Sequence, residues 1–234
     1  MDDLADGFVY YVAFLLSTTV HEAAHAWAAK LGGDLTAYHG GQVSLDPRPH
    51  IRREPIGMVL LPVASTLLSG WPFGFASAPY DPEWALRHLR RAGWMAIAGP
   101  AANLLIALLC VVAIHIGVAA GVFYPPDSAG FEAIVATDLT GIWPGITFVL
   151  SVFFSLNLML ACLNMIPLPP LDGSAAVLLG LSEENARRYQ EFLMTSQAVG
   201  MMGLIVAWQV FDVVFDPVFW TVMNVLYPGV TYSG

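Results

Sequence analysis

Residues 8–32 read FVYYVAFLLSTTVHEAAHAWAAKLG, a stretch long enough to cross a bilayer that carries His21, Glu22 and His25 near its centre. The helical repeat puts His21 and His25 on one face, a turn apart, so both imidazoles can reach a single metal ion. Glu22, beside the first of them, is then placed to act as general base on a water at that metal. Ionisable groups at membrane depth each cost about 2.5–3.5 kcal/mol on insertion scales, so three of them in one helix point to chemistry. The competing reading is a hydrogen-bonded pair of core histidines.

Composition supports the membrane setting. Hydrophobic residues make up 57% of the chain and charged residues 12%, about half the charged fraction of an ordinary soluble domain. The 234 residues are expected to form one domain, 1–234. A net charge of −9 argues against nucleic acid as a partner. The chain opens Met1-Asp2-Asp3, acidic where a cleaved signal needs a basic start, so the first apolar stretch is expected to stay as a helix. Cys110 and Cys162 lie in apolar runs and read as small hydrophobes.

Three further stretches, 93–121, 141–166 and 198–226, bring the expected count to about four spanning helices. The fold class is therefore an all-α polytopic membrane protein. A fifth apolar stretch, 56–76, is interrupted by Pro62, Gly70 and Pro72. Arg48, Arg52 and Arg53 precede it and Arg87, Arg90 and Arg91 follow it, and a full crossing would separate these two basic clusters. It is read as a re-entrant or hairpin element, with a short fifth span as the alternative. The Arg-bearing loops then lie inside, and the N-terminus and the 122–140 loop outside. This makes a multi-pass protein of the cell membrane with its site toward the cytoplasm. Gly40-Gly41 followed by Gln42-Val43-Ser44-Leu45 predicts a short β-hairpin at the membrane face.

A two-histidine site needs at least one more ligand. Asp172 is the candidate, because it follows a spanning helix and the closely spaced Pro167, Pro169 and Pro170. Prolines break the helix, and an unwound segment can aim a carboxylate across to a neighbour. An ordinary turn at Asp172-Gly173 is the competing reading.

These residues, with Ala98-Gly99-Pro100-Ala101-Ala102-Asn103 and the pattern Asn164 to Gly173, resemble the site-2 proteases, which are intramembrane zinc metalloproteases. Gly41 to Pro47, His50 and Pro55-Ile56-Gly57 resemble the compact branch that lacks PDZ and CBS domains. The chain departs from that branch in a longer loop after His50 and in lacking a basic residue in 74–80. The resemblance implies one Zn²⁺ per chain, held by His21, His25 and Asp172, with Glu22 as the catalytic base. It also implies hydrolysis of peptide bonds in or near transmembrane segments of membrane-protein substrates, in contact with the lipid bilayer. An edge strand including Gln42, Val43 and Ser44 is expected to pair with the unwound substrate. Asn164 and Asn103 are the other candidate substrate contacts, with bracing of helix ends as their competing role. Homo-oligomerisation is left open. Two other functions stay open: a metal-ion or proton translocator, and a catalytically silent homologue that binds membrane proteins.

Overall fold

The computed structural model describes residues 3–195 and 197–233. It is helical: α1 (Asp3–Leu31), α2 (Thr36–His39), α3 (Pro47–Arg53), a π-helical turn (Ile56–Leu60) running into α4 (Leu61–Ser69), and α5 (Pro82–Arg87). There follow α6 (Leu89–Ala119), α7 (Trp143–Asn164), α8 (Asp172–Ala176) with a 3₁₀ turn (Val177–Gly180), α9 (Glu183–Thr195) and α10 (Gln197–Leu226).

Among the described residues three helices are long and apolar enough to cross a membrane: Leu89–Ala119, Trp143–Asn164 and the Gly200–Leu226 part of α10. This corrects the count of four. At 29 residues α1 has the length, but Ser17, Thr18, Thr19, His21, Glu22 and His25 break its apolarity. All six are buried, and α1 packs against α4, α6 and α7. Its polar residues are thus covered by protein.

The ends of the bundle can be traced from contacts. Close to the end of α1, the Gly32 carbonyl accepts hydrogen bonds from Trp84 Nε1 and Arg91, each at 3.0 Å. The Asp34 carboxylate accepts from the Asp81 backbone N–H at 2.8 Å. Residues 32 and 34 therefore lie at the same end of the bundle as 81–91. The intervening chain leaves that end and returns to it. Its outgoing limb includes the apolar helix Ile56–Ser69, which rises roughly 20 Å, and Trp71 just beyond it packs on Tyr10 and Phe131 at the far end. Gly70, at φ +74°, turns the chain, and residues 71–81 come back extended. The limbs touch where the Phe75 N–H donates to the Gly57 carbonyl at 3.1 Å. A Cβ on Gly57 would sit 2.1 Å from the Phe75 oxygen, so only glycine permits this approach.

The expected β-hairpin at 40–45 is not formed. Among the described residues there is no sheet, and the β-bridges Tyr124–Ala136 and Gly130–Ala133 are isolated. Gly40 closes α2, Gly41 turns the chain at φ +75°, and Asp46 caps α3 by accepting from the Arg48 N–H at 3.0 Å. The glycine pair therefore serves a helix end, and Asp46-Pro47 starts the next helix before a strand can develop.

Two apolar cores hold the two ends. Trp84, Leu89, Met95 and Leu178 pack near the α1–α6 junction. At the far end Ile114, Phe154, Phe219 and Met223 pack with Ile134 of the 120–142 loop.

Candidate active site

His21 and His25 are 6% and 5% exposed on the face of α1 that meets α6. His25 Nδ1 lies 2.7 Å from the Met95 carbonyl, which can only accept, so Nδ1 carries the proton. His21 Nδ1 lies 2.5 Å from Asn103 Oδ1. The orientation of that amide follows from its neighbours. Asn157 Nδ2 donates to the Phe153 carbonyl and to Ser17 Oγ, at 2.8 and 2.9 Å. Asn157 Oδ1 then accepts from Asn103 Nδ2 at 2.8 Å, which leaves Asn103 Oδ1 for His21. Both imidazoles thus spend their Nδ1 proton on protein and present Nε2 to the same space.

The third group comes from the other side of the bundle. Chain leaving α7 unwinds through Pro167, Pro169 and Pro170, and Asp172 opens α8. Gly173 lets this loop pack tightly, since a Cβ there would lie 2.4 Å from the Met165 oxygen. Asp172 Oδ2 lies 3.1 Å from His21 Nε2 and 3.2 Å from His25 Nε2, and the two Nε2 atoms are 2.9 Å apart. Two imine nitrogens and a carboxylate oxygen so close together repel unless a cation, or protons in its place, lies among them. Tetrahedral zinc with bonds of about 2.0–2.1 Å holds its ligand atoms roughly 3.3 Å apart, so this donor set fits zinc.

α6 passes close to the converging nitrogens. A Cβ on Gly99 would stand 2.3 Å from His25 Nε2 and 2.5 Å from His21 Nε2. Glu22 is 7% exposed, and its carboxylate lies within 4.8 Å of a ligand atom of each histidine. A cavity of about 600 Å³ opens onto Glu22, His25 and Asp172. One wall is the returning limb at Ala76, Ser77 and Ala78, and another includes Leu193 of α9 and Met201 of α10.

His21, Glu22, His25 and Asp172 are thus brought together. Asn103 is fully buried behind His21. Asn164 donates to Leu160 of its own helix at 3.0 Å. Gln42, Val43 and Ser44 do not line the cavity. Gln42 is 2% exposed and donates to the Ser77 carbonyl at 3.2 Å, so it touches the segment that does. The contributions of Gly99, Met95, Asn157 and Ser17 were not read from the sequence. Gly99 lay within a recognised motif, and Asn157 could have been noticed as an amide well inside an apolar span.

The model of Peptidase family M50 matches residues 9–207, and the chain belongs to that family: it is a multi-pass membrane zinc metalloprotease. It is 32% identical over 181 residues to the "Putative zinc metalloprotease YwhC" of Bacillus subtilis, covering 72% of this chain and 71% of the relative. To the "Putative zinc metalloprotease Rip2" of Mycobacterium tuberculosis it is 31% identical, over 77% of this chain. The match spans 60% of that relative's length. The Rip2 of Mycolicibacterium smegmatis is 29% identical over the same share. No solved structure matches the chain.

Proposed function

We propose that this protein is an intramembrane endopeptidase that cleaves transmembrane segments of membrane proteins, with one zinc per chain held by His21, His25 and Asp172. The observation that carries the reading is the approach of Asp172 Oδ2 to both Nε2 atoms, at 3.1 and 3.2 Å. Zinc in such a site supplies Lewis acidity and makes water nucleophilic near neutral pH.

The chain's own groups do the rest. Glu22 takes the proton of the attacking water and delivers it to the leaving amine. Asn103 and the Met95 carbonyl hold the imidazole rings in the tautomer that leaves Nε2 unprotonated.

A substrate helix must unwind before its peptide bonds are exposed, and its freed backbone groups need partners. The returning limb at Ala76–Ala78 is extended and lines the cavity, which supports pairing there. Gln42 then positions this limb through Ser77.

In the bilayer, 56–76 is read as re-entrant, consistent with the flanking residues 32–34 and 81–91 meeting at one end of the bundle. That end carries Arg87, Arg90, Arg91 and Arg187, so it faces the cytoplasm, and the N-terminus lies outside.

The test is cleavage of a purified single-span substrate in nanodiscs by wild type and Glu22→Gln. The reading predicts a cut within or beside the span by wild type alone. Equal cutting by both proteins would remove Glu22 from the chemistry. No cutting of any single-span substrate in a broad panel, by a zinc-loaded chain, would remove the endopeptidase reading.

A further inference from the structure

A second cavity, of about 490 Å³, lies between the α5–α6 junction and the start of α9. Its wall includes Arg87, Arg90, Arg91 and Arg187, with Ser182, and Glu183 is the carboxylate among the lining residues. Four of the nine Lys and Arg residues of a chain with net charge −9 thus face one space.

Two of these arginines are engaged elsewhere. Arg87 pairs with Glu83 at 3.1 Å and Asp81 at 3.4 Å, and Arg91 donates to the Gly32 carbonyl at 3.0 Å. Among the described residues the guanidinium groups of Arg90 and Arg187 have no hydrogen-bond or ion-pair partner, while that of Arg188 next door is taken by Glu184. Two free guanidinium groups on different helices, facing one cavity, suit an oxyanion that accepts several hydrogen bonds at once.

The position indicates the source of that oxyanion. Arg90 and Arg91 open α6, a membrane-spanning helix. Trp94, one turn on, is 64% exposed, and exposed tryptophan near the end of a span marks the headgroup level. A basic pocket at that level on the arginine-rich side faces acidic lipid.

We propose that this cavity binds the phosphate of an acidic phospholipid headgroup, through Arg90 and Arg187. α9 carries Arg187 into this cavity and Leu193 into the active-site cavity. A headgroup held at Arg187 therefore also anchors one wall of the proteolytic site.

The test is native mass spectrometry of the full chain in detergent, titrated with dioleoyl phosphatidylglycerol, dioleoyl phosphatidylcholine and inorganic phosphate. Expected is a first phosphatidylglycerol bound at least tenfold more tightly than phosphatidylcholine, and a loss of that preference in Arg90→Gln/Arg187→Gln. Arg188→Gln, whose arginine is already paired, should retain it. Equal binding of the two lipids overturns the proposal. So does an equal loss in Arg188→Gln, which would indicate general surface charge. Tight binding of inorganic phosphate without any preference between the lipids would make a free anion the ligand and also overturn it. An unchanged circular dichroism spectrum of the double variant shows that a lost preference is not a lost fold.

Discussion

Asn103 Oδ1 meets His21 Nδ1 at 2.5 Å across 82 residues of sequence, and through it the imidazole is tied to Asn157 and Ser17. This buried line fixes which nitrogen of His21 faces Asp172. Asn103→Ala removes the acceptor and lets the ring take the other tautomer. Zinc affinity, measured by chelator competition, should fall about 10–100-fold. Asn103→Asp keeps an acceptor for His21 but sets a carboxylate oxygen against Asn157 Oδ1, so it should recover the affinity only in part. Unchanged affinity in Asn103→Ala would mean that ring orientation is set by packing alone.

Glu22→Gln keeps the shape of the side chain and removes its basicity. Zinc content should stay at the wild-type level while cleavage falls by about 10²-fold or more, the usual scale of general-base catalysis. A matched drop in zinc content would instead make Glu22 a ligand or a support for one.

Gly99→Ala separates local clash from helix stability. Alanine favours a helix over glycine by about 1 kcal/mol, so α6 should hold. Its methyl group, 2.3 Å from His25 Nε2 and 2.5 Å from His21 Nε2, should prevent zinc from binding. Circular dichroism and zinc analysis on the same sample check both halves.

Asp34 makes the loops at the end of α1 sensitive to acid. Burial alone raises its pKa, but hydrogen bonds from the Thr36 hydroxyl, the Thr36 N–H and the Asp81 N–H outweigh it and hold the carboxyl below its usual value. A depressed folded-state pKa gives stability that is fully present above the unfolded value of about 3.9 and is lost as pH falls through the folded one. Wild type should therefore exceed Asp34→Asn in thermal stability at pH 7, and the gap should narrow below about pH 4. A gap that stays constant with pH would show that Asp34 acts without its charge.

How much the sequence revealed depended on range. His21 and His25 are related by helical spacing alone, so their meeting could be read locally. Asp172 could be nominated because prolines announce where the chain must unwind, with an ordinary turn as the competing reading, and its carboxylate lies beside both imidazoles. Gly99 and Asn157 act through contacts between distant helices, and no local pattern specifies those. The missed β-hairpin arose from local ambiguity: Gly40-Gly41 suits a hairpin turn, but it also suits a helix end, and Asp46-Pro47 decided for the helix. α1 was counted as a span by its length, although the residues that make the site lower its apolarity.

The three-ligand site itself is tested most directly by zinc content. Wild type, His25→Ala and Asp172→Ala would be purified in detergent from metal-replete cells, and zinc per chain would be measured by mass spectrometry. The geometry around Asp172 Oδ2 predicts about one zinc in wild type and a sharp loss in both variants. Full zinc retention in Asp172→Ala, or none in wild type, would contradict it.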